Sequence, residues 1–243
     1  KDFPNRQDAL RYTLAANMAE TKDNDFTWKD FQSRNNSELV AILGNFVNRV
    51  MVLTCKHFQG TVPPKGVMTA EDEAVVSSIM AHREGIERAV ESFHFRDALK
   101  EYMDLARVGN KYLAEMEPWK LVKTDAGRTA TVLHVSLQLL SALAGLGEPF
   151  LPFTTKKLLA MLRKERIAWD TVGVEMLPEG YQVGEPELLF TKIEDDAIEA
   201  QIKKLHENAR AASDSAAVED AAGVAPMKPL IGIEDFDKID LRV

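Results

Sequence analysis

The sequence predicts an all-α protein, an antiparallel helix bundle with a short irregular or β-like strap and a flexible linker towards its end. Two observations predict it. Apolar side chains recur at three- and four-residue spacing through four long segments, which lays them along single helical stripes. The links between those segments are short and carry proline, glycine or polar residues, so consecutive helices must turn back on one another.

The stretch from Trp28 to Phe58 reads as one long helix whose core stripe is Leu39, Leu43, Phe46, Val47, Val50 and Thr54. Thr27, or Asp25 before it, can cap its start by accepting a hydrogen bond from a free N-terminal amide. Gly44 lies inside it, where glycine costs about 1 kcal/mol relative to alanine. Close approach of another backbone or of a ligand would be the compensation. Asn45, Asn48, Arg49 and Lys56 fall on a neighbouring row, so two amides and a guanidinium project beside the core stripe. As a bare pattern, such a row is more often a solvated face than a binding surface.

In chain order, residues 5–19 read as a short helix with Leu10, Leu14 and Met18 inward, which must dock on something to persist. TVPPKGVM interrupts the pattern after the long helix. A third helix starts at Thr69, with acidic residues suited to its positive end and Val75, Ile79 and Ile86 inward. A fourth carries Leu99, Met103, Ala106 and Tyr112. At EMEPWKLVK, Pro118 halts that helix just before Trp119, which either presents a stacking platform or fills a helix corner. After a turn at Gly127, TATVLHVSLQLLSALAGLG is the most apolar helix and the expected centre of the bundle; TTKKLLAMLRK follows as a short amphipathic one. Residues 167–193 shorten into turns, with LLFTKI as a strand or extended strap packed back on the bundle. EDDAIEAQIKKLHENA is a further helix, acidic first and basic later. The expected organisation is a bundle over 1–208, an Ala/Ser/Asp-rich linker over 209–228, and a strand-like segment over 229–243 that either packs against the bundle or begins a second domain.

Composition excludes several functional classes. No apolar run approaches the roughly 18 residues that span a bilayer, and KDFPNRQD lacks the apolar centre of a secretory signal, so no membrane partner and a cytoplasmic location are expected. A single cysteine, Cys55, rules out an internal disulfide and is expected to be a buried or half-buried thiol. Net charge is −8, yet residues 175–243 hold 16 acidic and 7 basic side chains, which leaves residues 1–174 at +1. A near-neutral body can bear a local basic face, but the total does not suit broad, non-specific binding to nucleic acid. Glu91 and His94 form one Glu-x-x-His unit, whereas a di-iron bundle needs two of them and two further carboxylates. None of His57, His82, His134 or His206 has a glutamate three residues earlier, so no metal site is expected. GxxxxGK[ST], GxGxxG and GxSxG are all missing, and no residue qualifies as catalytic.

Several motifs taken together resemble the methionyl-tRNA synthetase family of bacterial type, in the part that follows its catalytic domain. They are DALRYTLAANMAETKDNDFTWKDFQSRNNSELVAILGNFVNRV, NKYLAEMEPWKLVK and LLFTKIEDDAIEAQIKKL, and LIGIEDFDKIDLRV resembles the opening strand of an appended tRNA-binding, oligonucleotide-fold domain. The resemblance implies an anticodon-binding bundle that recognises the CAU anticodon of methionine tRNAs. The family's Asn-x-x-x-Arg pair and its tryptophan after proline carry over onto Asn45, Arg49 and Trp119. Helical geometry adds Asn48 and Lys56 as further RNA contacts, and Pro118 accompanies Trp119. HIGH and KMSKS, the family's catalytic signatures, are missing here, so the resemblance implies no charging of tRNA by this chain alone. ATP, magnesium and zinc belong by the same resemblance to the catalytic part, and this part needs no cofactor. It is expected as a monomer, with any homodimer of the longer protein formed through the C-terminal domain. The rival expectation is a helical protein-interaction module that does not bind RNA.

Overall fold

The computed structural model describes residue 3, residues 6–20 and the backbone of residues 23–220, with side chains described as far as residue 209. It divides into two compact units, one running to Ile198 and a second beginning at Glu199. The first unit holds α1 (Gln7–Ala16), α2 (Trp28–Arg34), a π-helical stretch (Asn35–Gly44), α3 (Asn45–Phe58), α4 (Ala70–Glu91), α5 (Phe95–Met116), α6 (Pro118–Leu121), α7 (Ala126–Leu146) and α8 (Pro152–Met161). Helix α9 (Asp195–Asp220) begins at its end.

Trp28 to Phe58 is one continuous helix, as expected, and Leu39, Leu43, Phe46, Val47, Val50 and Thr54 are all buried along it. Thr27 caps it, its hydroxyl accepting from the Asp30 amide at 3.1 Å. The π-helical middle is a finding that apolar spacing does not anticipate. Its widened ladder places the Leu39 carbonyl 3.1 Å from where a Cβ on Gly44 would stand, and the Phe190 ring lies 3.4 Å from the same point. The compensation for Gly44 is therefore a strap side chain and the helix's own backbone.

That strap is the LLFTKI segment, extended and held by side-chain amides. Asn36 donates to the Ile193 carbonyl at 2.9 Å and accepts from the Ile193 amide at 2.8 Å. Asn35 donates to the Thr191 carbonyl and Gln32 to the Ile193 carbonyl, each at 3.0 Å. From the other side Arg6 donates to the carbonyls of Thr191 and Lys192. Backbone groups with no sheet partner are thus satisfied by side chains.

Helix α7 is the centre of the bundle, buried from Thr129 to Ala144. Gly127 lies inside its first turn; the turn itself is made by Asp125, whose carboxylate accepts from the Arg128 amide at 2.8 Å. The hydroxyls of Thr129, Thr131, Ser136 and Ser141 bond back to carbonyls four residues earlier, which lets a polar group sit in the core. Gln138 accepts from the amides of Met176 and Leu177 and donates to the Leu177 carbonyl at 2.7 Å, while His134 meets the Pro63 carbonyl at 2.9 Å. The central helix thereby holds two irregular segments in place.

Three expectations are corrected. Leu10, Leu14 and Met18 face outward, 41%, 51% and 38% exposed, and α1 buries Asp8, Ala9, Tyr12 and Thr13 instead. The period is right and the phase is wrong, because polar anchors choose the face: Asp8 accepts from the Thr154 amide at 2.5 Å, and Tyr12 donates to Glu38 at 2.5 Å. Two helical spans, Trp28–Phe58 and Ala126–Leu146, are after all long and apolar enough to cross a bilayer by length and composition. For Ala126–Leu146, 94% of that apolar window is buried within the protein, which is how a central bundle helix comes to pass the same test. Finally, the backbone from 209 to 220 continues α9, because alanine is the best helix former and the Ala-rich stretch contains no proline before residue 226. The rest of the expected linker and the 229–243 segment lie outside the described residues.

Where α4, α5 and α7 meet, a fully buried carboxylate gathers them. Asp72 accepts from the Thr69 amide at 2.9 Å, from the Tyr112 hydroxyl at 2.5 Å and from both terminal nitrogens of Arg128 at 2.5 and 2.8 Å. Burial pushes its pKa up, but the hydrogen bonds from Arg128, Tyr112 and Thr69 outweigh that and hold it below the usual value near 4. Because the folded value is depressed, its contribution to stability is complete above the unfolded pKa and is lost as pH falls through the folded one. Urea denaturation midpoints should therefore fall below about pH 4 by less in Asp72→Asn than in the unaltered chain. At pH 7 the substitution should cost about 3 kcal/mol, since it removes a fully buried charge from its hydrogen-bonded pair with the half-buried Arg128 guanidinium.

A second expectation concerns Gly109. A Cβ there would stand 2.5 to 2.8 Å from three ring atoms of the buried Phe46. Alanine should gain about 1 kcal/mol in helix propensity and lose about 1 to 3 kcal/mol to overpacking. A lower melting temperature for Gly109→Ala is expected; an unchanged or raised one would contradict this packing.

Candidate functional site

The close approach at Phe46 and Gly109 has a direct consequence for the residues beside them. Asn45 precedes Phe46 on α3 and Asn110 follows Gly109 on α5, and the two amides meet, Asn45 Nδ2 donating to Asn110 Oδ1 at 3.0 Å. Asn110 in turn donates to the carbonyls of Ile42 at 2.9 Å and Ala106 at 3.1 Å. Asn45 itself remains exposed.

One turn along α3, the Arg49 guanidinium carbon lies 4.4 Å from the centroid of the Trp119 ring, a cation–π contact. The corner that delivers Trp119 is tightly built. Glu117 adopts a left-handed backbone, φ 43° and ψ 53°, its amide still bonded to the Leu113 carbonyl at 3.0 Å, and α6 starts at once with Pro118 in its first position. Lys120 closes the corner on Glu117 at 2.6 Å. Arg128 reaches the Met116 sulfur at 3.4 Å, so the buried carboxylate cluster extends to the last turn before the corner.

The structure therefore joins Asn45, Arg49 and Trp119 on one face made by α3, α5 and α6. Trp119 is half-buried, packed against the core at the corner with part of its side chain exposed. Asn48 is half-buried on α3 beside Arg49. Pro118 is buried, so it shapes the corner. Lys56 is exposed seven residues beyond Arg49, about 10 Å along the helix axis, and is not drawn into the cluster. Asn110 and Gly109 escape the sequence reading; two poor helix formers stand side by side there, but which element they face is not written in the local sequence.

A groove of about 990 Å³ lies elsewhere, between α1, α8 and the strap, lined by Arg6, Asn35, Lys156, Lys157 and Lys192. Among the described residues no group of three or more His, Cys, Asp or Glu gathers to hold a metal, and Glu91 ends α4 while His94 precedes α5. Cys55 is half-buried, and burial followed by the nearby Glu185 charge raises its thiol pKa, which disfavours a nucleophilic role. What the face offers is an aromatic ring, a guanidinium fork with no ion-pairing carboxylate among the described residues, and an oriented amide. Such groups suit the flat faces and hydrogen-bonding edges of unpaired bases.

Comparison with known proteins points the same way. The curated methionine–tRNA ligases of Porphyromonas gingivalis and Parabacteroides distasonis are 54% identical over 245 aligned residues and 51% identical over 243, in each case across the whole of this chain. The chain spans about 35% of their length. Among solved structures, Mycobacterium tuberculosis methionyl-tRNA synthetase in its free state matches 77% of this chain and 39% of its own at a TM-score of 0.73 and 24% identity, which speaks for the fold. The same enzyme in complex with methionyl-adenylate matches 76% of this chain and 37% of its own at 0.72 and 26%. Residues 2–51 match a family model of class I tRNA synthetases. Residues 62–210 match the family model described as the anticodon binding domain of methionyl tRNA ligase, and the chain belongs to that family.

Proposed function

We propose that Asn45, Arg49 and Trp119 form the face with which this chain reads the CAU anticodon of methionine tRNAs, within a ligase that attaches methionine at the expense of ATP. The observation that carries the reading is the seating of the Arg49 guanidinium 4.4 Å over Trp119, with Asn45 one turn away. In the free chain the guanidinium covers part of the indole. A base that stacks there displaces it towards the base's own edge, where its N–H groups find acceptors. The exchange is favourable, because a cation–π contact at an exposed site is worth about 0.5 to 1 kcal/mol and base stacking on an aromatic side chain about 1 to 3 kcal/mol.

The activation of methionine and the use of ATP and magnesium are assigned to the remaining two-thirds of the relatives' length. This chain supplies recognition only, and Asn48 and Lys56 serve as flanking contacts. A protein-interaction module has less support, since the face is small and its exposed groups are polar.

The test is a titration at fixed salt with a methionine anticodon stem-loop and with one whose first anticodon base is changed from C to G, followed by tryptophan fluorescence. Tighter binding of the CAU loop is expected, with a signal that disappears in Trp119→Phe. Arg49→Ala should lose about 1 to 3 kcal/mol of discrimination between the two loops. Equal affinity for both loops in the unaltered, folded chain would remove this reading in favour of the interaction module.

A further inference from the structure

We infer that Asn110 is a positioning residue that fixes which way the Asn45 amide faces, and so sets whether an amino or a keto base is accepted there. The inference rests on the reading of Asn45 as a base contact. Its physical basis is the pair of carbonyls around Asn110 Nδ2, those of Ile42 at 2.9 Å and Ala106 at 3.1 Å. A carbonyl oxygen only accepts, so the atom between them must be the amino group. Asn110 Oδ1 is then the atom that faces Asn45, 3.0 Å away, and it too only accepts. Asn45 must turn its own amino group inward.

A reversed Asn45 amide would set two carbonyl oxygens against each other. The outward side of Asn45 is thereby fixed as Oδ1 with one remaining N–H, beside an arginine that can only donate. Cytosine and adenine carry an exocyclic amino donor on their Watson–Crick edges; uracil and guanine carry a carbonyl in the corresponding place. Where the exocyclic group of the base faces the locked Oδ1, an amino base donates to it and the carbonyl of a keto base is opposed by it. An amide free to rotate would accommodate both. Ile42 lies in the π-helical stretch, so the irregular backbone before Asn45 also supplies part of the lock.

The experiment compares four stem-loops that differ in one anticodon base: CAU, UAU, CGU and CAC. The first two changes replace an amino base by a keto base, and the last does the reverse. The unaltered chain should prefer CAU over UAU or CGU by at least about tenfold. Asn45→Ala should erase that preference at one position. Asn110→Ala, and Asn110→Ser in case the first variant folds poorly, should erase it at the same position, with the double substitution adding little. In the unaltered chain both side-chain amide hydrogens of Asn110 should exchange slowly with solvent by NMR. Full preference in folded Asn110 variants, alongside its loss in Asn45→Ala, would overturn the inference and leave the anticodon reading intact. Rapid exchange of the Asn110 amide would overturn it as well, whatever the variants do. Unchanged preferences in Asn45→Ala, or equal binding of all four loops by the unaltered chain, would instead remove the reading on which it rests.

Discussion

The arrangement depends first on one buried carboxylate. Asp72 is fully enclosed, and it meets four donors from three helices: Thr69 at the start of α4, Tyr112 near the end of α5 and both ends of the Arg128 fork at the start of α7. A lone charge in that place would be strongly disfavoured. Surrounded in this way it is held ionised, and burial together with the hydrogen bond to Asp72 raises the Tyr112 hydroxyl well above its ordinary pKa. The position of the cluster matters more than its net energy, which for buried ion pairs is often small against an apolar substitute. It anchors the last two turns of α5, and the chain leaves α5 directly into the corner that carries Trp119.

A second theme is the use of side-chain amides where a sheet would otherwise satisfy the backbone. Gln32, Asn35 and Asn36 hold the strap, Gln138 holds residues 176 and 177, and Asn110 ties α5 to the Ile42 carbonyl. Each is buried or half-buried and turned to backbone groups. Asn45 differs. It gives one hydrogen bond to Asn110 and keeps the rest of its amide at the surface. Its exposed, oriented amide lies one turn from an arginine that has no ion-pairing carboxylate among the described residues.

The bundle was largely legible because its strongest signals are periodic. Leu39 to Thr54, Val75 to Ile86 and Leu99 to Tyr112 fall at helical spacing, and those positions are buried. Spacing reports a period and says nothing certain about phase. On α1 the Leu10–Leu14–Met18 stripe and the adjoining Ala9–Tyr12 stripe fit the same period, and contacts from residues 38 and 154 decide between them. The π-helical stretch was hidden for a related reason: its buried apolar residues, Leu39 and Leu43, stand four apart, a spacing that fits an ordinary helix as well as a wider one. At the site, Asn45, Arg49 and Trp119 were legible through motifs. Gly109 and Asn110 matter only through what α3 places opposite them, and no local signal carries that information.

The exposure of Asn45 on a helix surface explains why such support is needed. A deep pocket can select by shape, since a misfit ligand clashes with walls on several sides. An open helix face has no walls, so selection must come from the direction of a few hydrogen bonds. Directional selection is only as sharp as the orientation of the groups that make it, and an exposed asparagine on a helix ordinarily rotates freely. Here rotation is constrained by a partner amide whose own orientation is set by two carbonyls, and the guanidinium is held by an aromatic ring rather than by a carboxylate that would compete for its donors. Lateral support from α5 and α6 thus gives two surface side chains of α3 the fixed bearing that a pocket wall would otherwise provide.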